Sequence, residues 1–222
     1  MHSAAPSMLP VGARWVAYGR DAWLIYFQAT DSAAAFEQIQ KLQRGFAYCL
    51  LNGLREVTPG FETLLLEFEP GLRPSPAELE QSLAVTEPPG EVVPAEPVAL
   101  RIPVKYGGVD LKRVAEHAGL TASQVIELHS AAEYTVQLIG FAPGFPYLRG
   151  LDSRLITPRL DIPRPRVEAG SVAIGGEHAG VYPIATAGGW NLIGLTPLRL
   201  FDISLADPFL LKPGMRIRFE PI

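Results

Sequence analysis

The spacing of apolar residues changes character partway along the chain. Up to about residue 87, strand-like apolar runs such as AWLIYF and ETLLLEFEP flank a segment with apolar residues at helical spacing. Asp31 is placed to cap that helix, and a second helix is predicted from Ser75 or Pro76. The order strand, helix, strand, strand, helix predicts an α+β, ferredoxin-like domain over residues 1–87.

Residues 98–222 are predicted to form a mainly β domain, a barrel or a sandwich. Short apolar runs recur there between turn residues, among them VALRIPV, YTVQLIG, SVAIGG and MRIRFEPI. The same part holds 14 of the 21 glycines. Between the two parts, residues 88–97 read PPGEVVPAEP, and four prolines in ten residues predict a linker.

One helical segment, DLKRVAEHAGLTASQVIELHSA, interrupts the β pattern. Asp110 is predicted to cap its first helix, Gly119 to end it, and Thr121 with Gln124 to open the second as a capping box. The arrangement resembles a helix-turn-helix, but between residues 110 and 133 only two residues are basic, whereas four are acidic. Because phosphate binding needs basic side chains, a packed hairpin is predicted and nucleic acid is excluded as a partner.

Composition narrows the class further. The chain has 222 residues and a formal net charge of −4, with no apolar stretch of membrane-spanning length and no signal-peptide pattern. A single cysteine, Cys49, excludes an internal disulfide and argues against a cysteine-based metal site. A cytoplasmic protein without membrane contact or bound metal is therefore expected. The first hundred residues carry 6 Lys and Arg against 12 Asp and Glu, so an anion site is expected in the second part.

The stretch GFAPGFPYL, Gly140 to Leu148, predicts a shaped apolar wall that includes Phe145 and Tyr147. An arginine-rich segment follows it, and Arg159 and Arg164 each come directly after a proline. Because proline restricts the backbone beside each guanidinium, these arginines are predicted to be aimed at a ligand. Their forked donors suit a carboxylate or a phosphate. A solvated basic loop is the alternative.

Two glycine-rich segments complete the candidate site. Gly175 and Gly176 could turn backbone N–H groups toward an anion, and Trp190 after Gly-Gly suits a stacking wall. Glu177 and His178 are adjacent, so in an extended segment only one of them faces a given pocket, and that choice stays open. The alternative is that these glycines serve as turns between strands and that the tryptophan belongs to the core.

Several long motifs together resemble the allophanate hydrolase subunit 1 (KipI) family. They are GFAPGFPYLRGLD, TPRLDIPRPRVEAGSVAIGGEHAGVYP, GGWNLIGLTPLRLFD and LLKPGMRIRFEPI. The resemblance implies a ferredoxin-like first domain and a cyclophilin-like β-barrel as the second. It implies a B subunit of a heteromeric, ATP-dependent 5-oxoprolinase that converts 5-oxoproline to glutamate, with a homologous C subunit and an A subunit as partners.

The resemblance also implies roles and alternatives. ATP, with Mg²⁺, is expected to bind together with the partner subunits, and the chain is expected to be inactive alone. Glu177 or His178 would move protons, Arg159 and Arg164 would bind the anion, and the aromatic residues would form the walls. The alternatives are a regulator that inhibits a histidine kinase, or a carboxyltransferase or allophanate-hydrolase-type subunit.

Overall fold

The computed structural model describes residue 9 and residues 12–28, 32–49, 51–85 and 99–222. The chain divides into two units, Met1–Pro94 and Ala95–Ile222, and each is described by itself. The predicted linker at 88–97 lies outside the described residues, as does Asp31, the expected cap of the first helix. No helix in the described ranges is both long and apolar enough to cross a membrane.

The first unit is a four-stranded antiparallel sheet with two helices. Its sheet order is β1-β2-β4-β3. Strand residues that alternate along β2 and β4 are buried against apolar side chains of the first helix, as period-two patterning requires. The elements are β1 (Ala13–Tyr18), β2 (Ala22–Phe27), α1 (Ser32–Tyr48), β3 (Leu54–Pro59), β4 (Thr63–Phe68) and α2 (Pro76–Val85).

The second unit is a closed seven-stranded barrel with a helical hairpin. The barrel order is β10-β7-β6-β13-β5-β12-β9, and β11 pairs with β8 in a separate two-stranded sheet. The elements are β5 (Leu100–Tyr106), α3 (Leu111–Ala118), α4 (Ala122–Ala131), β6 (Tyr134–Ile139), β7 (Pro146–Arg149), β8 (Arg164–Val167), β9 (Ser171–Gly175), β10 (His178–Val181), β11 (Thr186–Gly188), β12 (Asn191–Leu195) and β13 (Arg216–Pro221). The described chain is thus mainly β, and the prediction of a β-rich second part is confirmed.

The β9 strand separates two apolar clusters. Val172 and Ile174 belong to the main core, whereas Ala173 between them belongs to an aromatic cluster on the opposite face of the strand. Because successive side chains of a strand point to opposite faces, β9 is buried on both sides. This explains why SVAIG is a continuous apolar run, and it places the aromatic cluster against the outer face of a barrel strand.

The helical hairpin follows the predicted capping at two of three points. Gly119 ends α3 in a left-handed conformation, and Thr121 with Gln124 forms the capping box of α4. Asp110 occupies the N-cap position of α3, as predicted, but the expected cap through its side chain is wrong, because that side chain makes no cap hydrogen bond. The carboxylate is instead used by more distant parts of the chain, described below.

Candidate functional site: an aromatic cavity beside the barrel

The loop between β6 and β7 is closed by its own backbone hydrogen bonds. The Ala142 N–H donates to the Gly140 carbonyl at 2.7 Å, and the Phe145 N–H donates to the Ala142 carbonyl at 3.0 Å. The Gly140 N–H returns a bond to the Phe145 carbonyl at 3.1 Å. Gly144 has a φ of 78° and packs against other loops, since an added Cβ would lie 3.2 Å from Phe201. The loop therefore presents its aromatic rings in fixed places.

Phe145 is the centre of the aromatic cluster. Its ring lies edge-on to those of Tyr182, Tyr147 and Trp190, with centroid separations of 5.1, 5.2 and 5.2 Å. Edge-to-face pairs of this kind each add stability beyond the area they bury. Phe145 and Tyr182 are each 1% exposed and Trp190 is 5% exposed, so these rings form a buried aromatic cluster.

A cavity of about 270 Å³ opens over this cluster. Its lining is mostly aromatic and aliphatic, with one charged side chain, that of Arg159. The Arg159 guanidinium carbon lies 5.5 Å from the centroid of the Trp190 ring, a cation–π arrangement. The lining residues are Phe141, Phe145, Tyr147, Arg159, Leu160, Pro163, Tyr182, Ala187, Gly188, Gly189 and Trp190.

Two glycines allow the aromatic rings to sit as deep as they do. A Cβ on Gly175 would lie 2.4 Å from atoms of the Trp190 indole, and one on Gly188 would lie 2.2 Å from the Tyr182 hydroxyl oxygen. Gly175 therefore lies behind the tryptophan, outside the cavity lining. Gly176 was expected to offer its N–H to an anion, but that N–H donates to the Thr157 carbonyl at 2.9 Å.

The two predicted anion-binding arginines occupy different environments. Arg159 lines the cavity, and among the described residues no carboxylate lies within ion-pairing distance of it. Arg164 does not line the cavity. Its guanidinium donates to the Asp110 carboxylate at 2.7 Å and to the Trp190 carbonyl at 3.4 Å. Arg164 therefore braces the backbone that carries the tryptophan.

Asn191 fixes the base of the Arg159 segment. It is fully buried, and its amide group donates to the carbonyls of Pro158 and Ile174, both at 3.0 Å. Its side-chain oxygen accepts a bond of 2.5 Å from Arg113 on α3. Pro158 directly precedes Arg159, so Asn191 holds that segment against β9. The sequence offered no local signal for this role.

His178 and Glu177 differ in exposure. Glu177 is exposed, whereas His178 is half-buried, with its Nε2 3.1 Å from Oε1 of the buried Gln137 and its ring 6.1 Å from that of Tyr147. Burial lowers the pKa of His178, Glu177 opposes this effect, and the charge of Arg159 adds to it. Neither residue lines the cavity. Of the two, His178 lies beside the aromatic wall.

Tyr182 is a lining residue that sequence reasoning missed. Burial raises the pKa of its hydroxyl, while the Trp190 backbone N–H and the charges of Arg159 and Arg164 act in the opposite direction. The hydroxyl therefore stays protonated at neutral pH and can donate a hydrogen bond. The only hint in the sequence was its place in GVYP, directly after a glycine-rich turn.

The chain belongs to the carboxyltransferase domain family, subdomains C and D, whose model matches residues 13–211. It is 54% identical over 134 residues to the 5-oxoprolinase B subunit of Escherichia coli O157:H7, covering 59% of this chain and 62% of that protein. It is 49% identical over 126 residues to the protein of the same name from Bacillus subtilis (strain 168), covering 55% of this chain and 52% of the relative. The family resemblance carried by the sequence motifs is thereby confirmed.

A solved structure shares the fold of most of the chain. The crystal structure of TTHA0988 superposes with a TM-score of 0.79 at 34% identity, and the match covers 91% of this chain and 40% of that one. The matches to the two curated relatives span less than two thirds of those proteins' own length.

Proposed function

We propose that the chain is the B subunit of a heteromeric 5-oxoprolinase, which hydrolyses the lactam of 5-oxoproline to give glutamate at the expense of ATP. The observation that carries the proposal is the 54% identity to a protein named as the B subunit of 5-oxoprolinase. The site agrees in chemistry, because 5-oxoproline is a small flat ring with a carboxylate. An aromatic cavity with a single guanidinium at its edge is suited to such a molecule.

In this proposal the chain binds and orients the substrate. Arg159 receives the carboxylate, and the rings of Tyr147, Tyr182 and Trp190 enclose the lactam ring and exclude water. The protonated Tyr182 hydroxyl is a donor available to the lactam carbonyl, whose oxygen gains negative charge when a nucleophile attacks. Arg164, Gly175 and Gly176 act behind these residues by holding the backbone and the indole in place.

Proton transfer is assigned to His178, and Glu177 is left in a solvent-facing role. A lowered pKa leaves the imidazole neutral at physiological pH, so one ring nitrogen can accept a proton. Gln137 contacts Nε2 and orients the ring. Because His178 lies behind Tyr147, its proton would travel through that region or to a group supplied by a partner chain.

ATP and Mg²⁺ do not fit the described residues of this chain. The described part of the sequence contains no group of three His, Cys, Asp or Glu side chains able to hold a metal ion. The cavity presents one guanidinium, too few donors for a triphosphate. ATP would supply the activation that a stable lactam needs, and the proposal places it on the partner subunits. The isolated chain is then inactive, and a homologous C subunit and an A subunit complete the enzyme in the cytoplasm.

The fold description of the resemblance belongs to the same proposal. The succession β2, α1, β3, β4, α2 and the fully antiparallel sheet support a ferredoxin-like first unit. The closed barrel with the α3–α4 hairpin supports a cyclophilin-like second unit.

The test is reconstitution. The chain is purified with its C and A subunits, and glutamate release from 5-oxoproline is measured with and without ATP. We expect ATP-dependent release that needs all three proteins and falls strongly with Arg159→Gln. The matched control is Arg166→Gln, because Arg166 pairs with Glu168 on the surface and does not line the cavity. No glutamate from the complete set of proteins would rule the function out.

A carboxyltransferase-type activity is the second candidate, favoured by the description of the matching family model. A biotinylated carrier protein would have to deliver the carboxyl group. Transfer from such a carrier, in the absence of oxoproline turnover, would replace the first proposal. The histidine-kinase inhibitor alternative rests on the family resemblance alone. It would be supported if the chain bound a histidine kinase and if Arg159→Gln and Trp190→Ala left that binding unaffected.

A further inference from the structure

Phe141 has a strained backbone at the mouth of the cavity. Its φ is 65°, and among the described residues it is the one non-glycine with a positive φ. The 2.7 Å bond from the Ala142 N–H to the Gly140 carbonyl closes a three-residue turn around it. Turns of this kind with a positive central φ are rare and strained, and an aromatic residue is poorly suited to them. Such strain persists where the surrounding structure or a function requires it.

Packing does not account for the choice of phenylalanine. The residue is 62% exposed, and its aromatic contacts are T-shaped ones with Phe145 and Tyr182, at centroid separations of 5.3 and 6.3 Å. A glycine would adopt the same backbone without strain. The strain is therefore associated with where the phenyl ring is held, and that place is the edge of the cavity.

Arg159 stands at the same cavity with a different chemistry. Its guanidinium lies over Trp190 at 5.5 Å, and the remaining lining is uncharged. A volume of about 270 Å³ is at the small end for binding pockets, which typically hold drug-sized molecules in about 300–1,000 Å³. The cavity therefore suits a compact ligand that is flat, largely apolar and singly negative.

We propose that Phe141 is a ligand-contacting residue, held in a strained turn so that its ring covers a compact planar carboxylate whose charge is met by Arg159. The inference rests on the proposed function in its choice of 5-oxoproline as the ligand. It adds separate roles for three residues. The Phe141 ring covers the ligand, the Arg159 guanidinium binds its carboxylate, and Arg164 does not contact the ligand.

The experiment separates ring from backbone at residue 141. The full chain and its Phe141→Tyr, Phe141→Ala, Phe141→Asn and Phe141→Gly variants are titrated calorimetrically with 5-oxoproline, and their melting temperatures are recorded. Affinity should be kept in Phe141→Tyr and fall about tenfold in the three variants without a ring. The melting temperature should depend on how well the new residue tolerates a positive φ. Phe141→Gly and Phe141→Asn should melt at or above the wild-type temperature, and Phe141→Ala should melt below these two variants.

The charge is tested with 2-pyrrolidinone, which has the same ring without the carboxylate. The wild type should bind 2-pyrrolidinone about ten- to a hundredfold more weakly than 5-oxoproline. Arg159→Gln should bind the two molecules with equal, weak affinity. An Arg159→Gln variant that still distinguishes the two molecules would overturn the assignment of the charge.

The remaining outcomes are decisive in either direction. Affinities that follow melting temperature, equal affinities across all variants, or no binding by the wild-type chain overturn the role of Phe141. Turnover by the assembled enzyme with an unchanged KM in Phe141→Ala overturns it too, and leaves the proposed function standing. Carboxylate binding that depends on Phe141, without turnover by the complete set of subunits, supports this inference and rejects the proposed function.

Discussion

The carboxylate of Asp110 links Arg164 to the backbone of β12. One carboxylate oxygen accepts a 2.7 Å bond from the Arg164 guanidinium, and the other accepts a 2.7 Å bond from the Leu192 N–H. The guanidinium also reaches the Trp190 carbonyl. Three segments that are distant in sequence thus meet at one carboxylate, directly behind the aromatic cavity.

Replacing Asp110 with alanine should destabilise the barrel unit markedly. The Asp110 and Arg164 side chains are 9% and 28% exposed, so the change leaves a largely buried guanidinium and a backbone N–H without partners. We expect the free energy of unfolding to fall by about 3 kcal/mol. Urea unfolding followed by circular dichroism measures it. Glu168→Ala is the control, since both members of its pair with Arg166 are 68% exposed, and it should leave the midpoint unchanged.

Replacing Gly175 with alanine should displace Trp190. The new methyl group would lie 2.4 Å from the indole, so the ring has to move or the strands have to separate. We expect a loss of about 1–3 kcal/mol and a shift of tryptophan emission, because the indole becomes more exposed.

Gly176→Ala is the matched control for that change. Gly176 has a φ of 63° and nothing within 4 Å of an added Cβ, so it tests backbone strain without a clash. It should cost about 1 kcal/mol and leave the emission of Trp190 unaltered. Equal emission shifts in both variants would contradict the assignment of Gly175 as the support of the indole.

Replacing Asn191 with aspartate should loosen the segment that carries Arg159. The isosteric change removes both amide donors. The buried Ile174 carbonyl then loses its bond from Asn191, and the Pro158 carbonyl keeps only the 3.4 Å bond from Arg113 among its side-chain donors. We expect a loss of about 2 kcal/mol or more. Hydrogen exchange at the Gly176 and Leu160 amides, which bind the Thr157 and Gly189 carbonyls, should become faster.

Arg113→Ala provides the comparison for Asn191. The variant removes the guanidinium that donates to the asparagine and, at 3.4 Å, to the Pro158 carbonyl. Both carbonyls stay bonded to the Asn191 amide, so the effect on stability and exchange should be smaller. Protection of the Leu160 amide that survives Asn191→Asp unchanged would show that another contact holds the segment.

His129 should make the barrel unit less stable in acid. It is fully buried, contacts the Tyr106 hydroxyl at 2.8 Å and stacks on Phe219 at 4.5 Å. Burial lowers its pKa to about 3, whereas the unfolded chain titrates near the ordinary value of about 6.5. Between these two values the unfolded state binds more protons, so the free energy of unfolding falls as the pH falls, by up to about 1.4 kcal/mol per pH unit.

The measurement is urea unfolding at pH 7, 6 and 5. His129→Phe should flatten the dependence on pH, although it lowers stability at pH 7 by removing the bond to Tyr106. His117→Gln, at an exposed position of α3, should leave the slope as it is. A slope that is unaltered by His129→Phe would assign the acid sensitivity to other groups, His178 first among them.

What could be predicted from the sequence was set by local interactions. The capping box of Thr121 and the glycine that ends α3 involve partners three or four residues away, and both were predicted correctly. Asp110 also precedes a helix, but its partners lie at residues 164 and 192, so its local pattern was misleading. The long-range pairing decides its role because a largely buried guanidinium and a strand N–H are costly to leave without a partner.

The candidate site shows the same division. The aromatic wall of GFAPGFPYL and the tryptophan after Gly-Gly were recognisable from composition, and they do converge on one cavity. Tyr182, directly after β10, and Asn191, at the start of β12, were missed because their positions beside the cavity depend on the closure of the barrel. The sequence could not separate Arg159 from Arg164 either, since both follow proline and only the position of Asp110 distinguishes them.

The parallel pairing of β5 with β13 has a consequence for how this unit folds. Leu100 is paired with Ile217, and β13 separates β5 from β6. One edge of β5, the first strand of the barrel, can therefore pair only after β13, the last strand, is present. No hairpin between neighbouring strands can pair with that edge earlier. Folding must therefore cross a barrier of long-range chain closure, which is slow, and an emerging chain carries an open, apolar strand edge until synthesis reaches β13.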